Sequence, residues 1–122
     1  MSKYSLFLLV FFLFVSCQKR EYNLLGTELL VTVAHHGVIV PHSSVYVKID
    51  AQEFPGRDAS DYDLITFTNE NSEATFDNLL PGPIYLYAEG FDGLDSVSGY
   101  IPFLIDENML GRLVQVEIPV SE

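Results

Sequence analysis

The stretch Phe76-Asp77-Asn78-Leu79-Leu80-Pro81-Gly82-Pro83-Ile84-Tyr85-Leu86-Tyr87 constrains this chain more than any other. Ala74 and Phe76 alternate with polar neighbours. Leu80-Pro81-Gly82 then supplies a turn, because proline fixes φ and glycine accepts positive φ without steric cost. Beyond it Ile84, Leu86 and Ala88 alternate with Tyr85, Tyr87 and Glu89. A period of two places alternate side chains on opposite faces of a strand. From residue 17 onward no segment carries the helical period instead, so the chain is constrained to build sheets.

The same alternation recurs on both sides of this stretch. Glu28 to Ala34 is the first predicted strand, with Leu29, Val31 and Val33 on one face. His35-His36-Gly37 is a turn, and Val38-Ile39-Val40 continues extended until Pro41 interrupts the ladder. Val45, Val47 and Ile49 oppose Tyr46, Lys48 and Asp50. Ala51 to Ser60 is a loop around Pro55-Gly56. Tyr62 to Thr68 is a strand, Asn69 to Ser72 a hairpin connection, and Glu73 to Asp77 the partner strand. Phe91 to Asp95 is a loop, and Val97 to Leu104 a strand in which Gly99 suggests a bulge. Asp106 to Gly111 is a turn or one helical turn, and Leu113 to Val120 closes the pattern. These runs predict an all-β fold, an antiparallel seven-stranded two-sheet sandwich.

The first residues read differently. Lys3 precedes an unbroken apolar run, Leu6 to Val15. At helical rise this run covers about 15 Å, roughly half a bilayer core. That is the length of a signal-peptide core, not of a membrane span. Phe14-Val15-Ser16-Cys17 resembles a bacterial lipobox, with a small residue before the cysteine and Phe14 where leucine is usual. The resemblance implies cleavage before Cys17, the one cysteine of the chain, and lipid attachment to it. An incidental cysteine in an ordinary leader, or a retained leader, are the alternatives. The expected organisation is a signal peptide over 1–16, a lipidated tether over 17–26 and one domain over 27–122. The residues after the cysteine, Gln18-Lys19-Arg20-Glu21, carry a single acid. They depart from the acidic surface-export signal of Bacteroidetes-type lipoproteins, so the expected place is the periplasmic side of the outer membrane. The whole chain carries 17 acidic and 6 Lys or Arg side chains, a formal charge of −11. Such a surface repels nucleic acid and anionic headgroups. Attachment to a membrane therefore falls to the lipid on Cys17.

Val31 to Val120 resembles the prealbumin-like (transthyretin-like) branch of the immunoglobulin-like sandwiches, which includes carboxypeptidase regulatory-like and Cna-B-type domains. The residues that carry the resemblance are Val31-Thr32-Val33, Gly37-Val38 with Pro41, Val45-Tyr46-Val47, Thr66 with Thr68-Asn69-Glu70-Asn71, and Ala74-Thr75-Phe76-Asp77-Asn78-Leu79-Leu80-Pro81-Gly82. Two positions depart from it. Ser72 stands where the family usually has glycine, and Ile84 stands where it usually has tyrosine. The resemblance implies a fold and a stalk, adaptor or binding role, not a chemistry.

Chemistry-bearing residues are sparse. His35, His36 and His42 share one region and are candidate ligands for zinc, copper or nickel. However, adjacent residues on an extended segment point oppositely, and no fourth ligand is spaced to complete a set. The plainer reading is a solvated turn. Asp92, Asp95, Asp106 and Glu107 are candidate calcium ligands if they converge at one end of the sandwich, with solvated loop charge as the plainer reading. A hydrolase of purine degradation shares the prealbumin-like fold but ends Tyr-Arg-Gly-Ser, whereas this chain ends Ile118-Pro119-Val120-Ser121-Glu122. No catalytic spacing or phosphate-binding glycine loop is present, so neither enzyme activity nor a cofactor is expected. Tyr46, Tyr85 and Tyr87 fall on the face opposite the core residues. As an exposed cluster they suit a protein partner or a glycan; the plainer reading is that they cover the sheet. The expected function is that of a membrane-anchored envelope lipoprotein, a non-catalytic module for interaction with or assembly of another envelope protein. Carbohydrate or small-ligand binding is the alternative.

Overall fold

A computed structural model describes residues 26–122. The apolar leader, Cys17 and the tether up to residue 25 lie outside the described residues. Among the described residues eight strands build two four-stranded sheets. Sheet A contains β1 (Thr27–His35), β2 (Val38–Ile39), β5 (Glu73–Leu79) and β8 (Leu113–Pro119). Sheet B contains β3 (Ser44–Ile49), β4 (Leu64–Phe67), β6 (Gly82–Asp92) and β7 (Asp95–Ile105), in the order β4-β3-β6-β7. Within sheet A, β1 is central. One of its edges carries β5 and, further along, β2; the other carries β8.

The alternation does what a period of two requires. Leu29, Val31, Val33, Ala74, Phe76 and Ile118 turn inward from sheet A. Val45, Val47, Ile84, Leu86, Ala88, Val97 and Ile105 meet them from sheet B. Each fully buried Val, Leu or Ile contributes about 1.5–3 kcal/mol, so this single layer holds the sheets together without a disulfide. Ile84 belongs to it, which explains why a tyrosine is not needed there.

Four expectations are corrected. The described residues hold eight strands, not seven, because Val38–Ile39 pairs with Ala34–His35 before Pro41, which has no N–H to donate, ends it. The sandwich is not wholly antiparallel, since β8 runs parallel to β1 from Glu28 to Ala34. Asn69 to Ser72 is not a hairpin: β4 pairs with β3 in sheet B, while β5 pairs with β1 in sheet A. The turn is locally tight, with the Asn69 side chain accepting from the N–H of Asn71 and of Glu73, but it carries the chain from one sheet to the other. Finally, Gly99 marks no bulge, because β6 and β7 stay in register from Gly82↔Ile105 to Asp92↔Asp95. Its hydrogen makes room for the backbone of Pro119 and Val120, which a Cβ would strike. The irregularity lies between Thr27 and Leu29 on β1.

Ser72 shows how the crossing is fastened. Its φ is +59°, the left-handed region where glycine is at no disadvantage. The compensation is its hydroxyl. Fully buried, Oγ lies 2.7 Å from the carbonyl oxygen of Val33 and 2.9 Å from that of Val40, and the Val33 N–H donates back to it at 3.3 Å. One side chain thus ties the start of β5 to β1 and to the end of the β2 segment. Ser72→Ala keeps the strained φ and strips these partners. It is expected to lower the unfolding free energy by about 1–3 kcal/mol, read as a drop in urea midpoint at unchanged slope.

Candidate functional site

The two outer faces differ in character. That of sheet A carries Thr32, Glu73, Thr75, Asp77, Gln115 and Glu117, with exposed Ile39 and Leu113 beside them and no Phe or Tyr ring among the described residues. That of sheet B is aromatic. Alternation on β3 and β6 turns Tyr46, Tyr85, Tyr87 and Glu89 outward, and register places Tyr87 opposite both Tyr46 and Tyr100. The segment joining β3 to β4 folds back over these rings. Phe54 stacks on Tyr100 with centroids 3.7 Å apart and planes 13° from parallel. Tyr62 stacks on Tyr87 at 5.8 Å, and Tyr46 on Tyr87 at 5.6 Å.

All three tyrosines singled out from the sequence therefore lie on the expected face, but they do not form an exposed cluster. Tyr46 and Tyr87 are 6% and 3% exposed, covered by the folded-back segment, and Tyr85 is half-buried. The exposed tyrosine of this face is Tyr100, at 47%, with Tyr85 and Phe54 beside it at centroid distances of 6.4 and 3.7 Å. Exposed Ile65 and Phe67 extend the apolar surface along β4, and Leu104 along β7. Tyr100 had a signal in the alternation of β7. Phe54 had none, since it lies in an irregular segment.

Polar groups knit the cluster. The hydroxyls of Tyr46 and Tyr87 donate to the two carboxylate oxygens of Glu89 at 3.1 and 3.0 Å. The Tyr62 hydroxyl donates to the Gly56 carbonyl at 2.7 Å, pinning the covering segment. Asp58 caps its short 3₁₀ turn, Ala59–Asp61, and the two hydrogen bonds from Ser60 hold that carboxyl below its usual range. Burial, and then the adjoining Glu89, push the phenols of Tyr46 and Tyr87 above their ordinary range. Burial, with Tyr87 and Asp61 adding to it, pushes Tyr62 up to about 12. These phenols stay protonated as donors, which suits them to binding and positioning and not to acting as a base or nucleophile.

The other candidates are dispersed. His35 is not in a solvated turn: it is buried at the end of β1, with Nδ1 2.7 Å from Asp92 Oδ2. This contact ties sheet A to the β6–β7 hairpin. The two adjacent histidines do not diverge as extended neighbours would, because His36 has φ +52°, and its ring centroid lies 4.2 Å from that of His35. His42 sits apart in the next turn. Asp92 and Asp95 face each other at one end of β7, whereas Asp106 and Glu107 follow its other end. Eleven residues of extended chain, roughly 35 Å, keep them from converging. Among the described residues no group of three or more His, Cys, Asp or Glu is placed to hold a metal ion.

No protein-family model matches the chain, and no curated protein matches it.

The raised phenols carry a pH dependence. A group whose folded pKa lies above its unfolded value stabilises the fold below the unfolded pKa, and that contribution is lost as pH climbs through the folded one. Unfolded tyrosines ionise near pH 10 and Tyr62 at about 12. Stability is therefore expected to fall as pH rises from about 10 to about 12. Urea melts across that window check it, and Tyr62→Phe is expected to flatten the decline.

Proposed function

We propose that this protein is a lipid-anchored envelope module of prealbumin-like fold that acts by binding another protein through the outer face of sheet B. The observation that carries the reading is the asymmetry of the two outer faces. Sheet A turns mainly polar and acidic side chains outward, with Ile39 and Leu113 exposed beside them but no Phe or Tyr ring among the described residues. Sheet B turns a layer of aromatic rings outward, bordered by Ile65, Phe67 and Leu104, all exposed. Tyrosine-rich apolar surface with polar tips is what interface cores use. The short β4 edge lies beside this face, with no strand paired to it among the described residues, and offers a partner backbone hydrogen bonds as well. The prealbumin-like assignment is supported by the facing four-stranded sheets and by the Leu79-to-Gly82 turn that takes the chain from one sheet to the other, with Gly82 at φ +145°. The non-catalytic reading is supported by phenols held protonated and by a Glu89 carboxylate engaged on both oxygens.

A second reading has its own observation. Half-buried Tyr85, with the Phe54–Tyr100 stack beside it, presents flat ring surface of the kind that receives a sugar ring.

The two separate experimentally. Crosslinking in intact cells, followed by purification and mass spectrometry, is expected to recover a recurrent protein from wild type and to lose it in Tyr85→Ser/Tyr100→Ser. An unchanged partner in that variant rejects this face. Absence of any partner, together with retention of the wild-type chain on immobilised glycans, favours the sugar reading.

The anchor has its own test. Cys17→Ser is expected to move the protein from the membrane fraction to a soluble or unprocessed form. Its persistence in membranes at mature mass defeats the lipid assignment.

A further inference from the structure

We propose that the partner meets the aromatic face with arginine side chains, seating guanidinium groups on the rings of Tyr100 and Tyr85 between carboxylates of the covering segment. The inference rests on the reading of that face as a protein-interaction surface and adds the partner's chemistry to it.

The rings supply one half of the match. Tyr100 is half-exposed, and its orientation is fixed by the Phe54 stack and by its register opposite Tyr87. Tyr85 stands beside it. Phe54 covers one face of Tyr100; a ring so held presents its other π face without an ordering cost, and a planar cation stacks on it. The second half is charge. Asp50, Glu53, Asp61 and Asp63 are exposed along the segment that folds over this face. Against them stand Lys48, which already pairs with Asp63 at 3.6 Å, and Arg57, close enough to Tyr87 to bias its ionisation. Glu89, in the middle of the face, adds negative charge to it while both its oxygens accept from Tyr46 and Tyr87. An anionic or neutral partner would find a repulsive or indifferent rim. A guanidinium matches both halves: its plane stacks on a phenol ring while its edge donates to a carboxylate. An ammonium is more strongly hydrated and has no plane to stack, so lysine satisfies only the charge.

The molecule carries its own control. The outer face of sheet A bears Glu73, Asp77 and Glu117 but no comparable rings. Attraction by net charge alone would distribute a basic partner over both faces. The inference requires it on sheet B only.

The test uses the detergent-solubilised full chain and three fluorescent peptides of equal length, alternating glycine with arginine, lysine or glutamate. Fluorescence anisotropy is expected to rank arginine above lysine, with glutamate unbound. Tyr100→Ala and Tyr85→Ala are each expected to weaken arginine-peptide binding about two- to five-fold, the value of one exposed cation–π contact, and to narrow the arginine–lysine gap. Tyr100→Leu, which retains apolar bulk, is expected to lose binding as Tyr100→Ala does, separating the ring's electrostatics from simple packing. Glu53→Gln/Asp61→Asn is expected to weaken binding and flatten its salt dependence, whereas Glu73→Gln/Glu117→Gln is expected to leave it unchanged. The inference is overturned if arginine and lysine bind alike and the ring variants change nothing, if binding is lost with the sheet A variants, or if no basic peptide binds. Should a crosslinked partner still depend on Tyr85 and Tyr100 while the arginine peptide fails, the interaction face stands and only its proposed chemistry falls.

Discussion

A sandwich without a disulfide must solve one recurring problem: wherever the chain leaves one sheet for the other, the hydrogen-bond ladder stops and backbone groups are left in a dry interior. Here the solution is a small knot of buried hydroxyls. Ser72 serves the carbonyls of Val33 and Val40. Ser43 donates to the same Val40 carbonyl at 2.7 Å, while its own N–H is received by the Thr68 hydroxyl at 2.8 Å. The Thr68 N–H in turn donates to the Ser43 carbonyl. The knot joins the segment leaving β2, the start of β3, the end of β4 and the start of β5. Both the β2–β3 and the β4–β5 crossings are thus fastened at one place. Close approach there is part of the arrangement, since a Cβ on Gly90 would strike the Ser43 side chain. The apolar layer provides most of the adhesion, but the knot decides which strand enters which sheet.

With the inner faces committed to each other, any specific binding by the folded domain falls to the outer faces, edges and turns. Sheet B's outer face has in effect a second core of its own. The segment from Asp50 to Asp63 leaves β3, reaches across β6 to Tyr100 on β7 through Phe54, and returns to β4. Its return is held by the Asp63 carboxylate, which accepts from the Ile49 N–H at 2.7 Å. This layer buries Tyr46 and Tyr87 and leaves Tyr85 and Tyr100 at its margin. A ring bordered by fixed neighbours is a better binding element than one free to rotate, because less rotamer entropy remains to be lost on association. The covered tyrosines therefore support the exposed ones even where they touch no ligand.

What the sequence made legible follows from the range of each signal. Alternation is local, so the inward positions of β1, β3, β6 and β8 and the outward placement of Tyr46, Tyr85 and Tyr87 could be read from it directly. Pairing is not local. Asn69 to Ser72 has the composition of a hairpin turn, and nothing within it reveals that the next strand joins β1, because that choice rests on a hydroxyl contact between residues 39 positions apart. Gly99 was legible as a special position but not as to its reason, which lies in Pro119. The aromatic face was visible only in part. Period two exposes Tyr85 and Tyr87, but their covering depends on Phe54 and Tyr62, brought over the sheet by a segment with no periodicity. His36 shows the same limit on a smaller scale: one residue with positive φ reverses the geometric argument for its neighbour.

Placement along the domain gives the proposed anchoring a consequence for the site. Gly26 enters at the start of β1, beside Asn78 and Gly111, whereas His35 and Asp92 mark the far end. Residues 18–26 are few enough that, even fully extended, they reach roughly 30 Å. A lipid on Cys17 would therefore hold the Gly26 end within about 30 Å of the bilayer, with the strands free to tilt about it. Sheet B's aromatic face runs along the strands, not at their tips. On such an anchor, the narrower the range of tilt, the more that face would be turned sideways, toward proteins sharing the same membrane. An acidic domain is repelled by anionic headgroups, which favours standing off the surface over lying on it. That repulsion leaves both outer faces accessible, and of the two only sheet B offers rings to a neighbour.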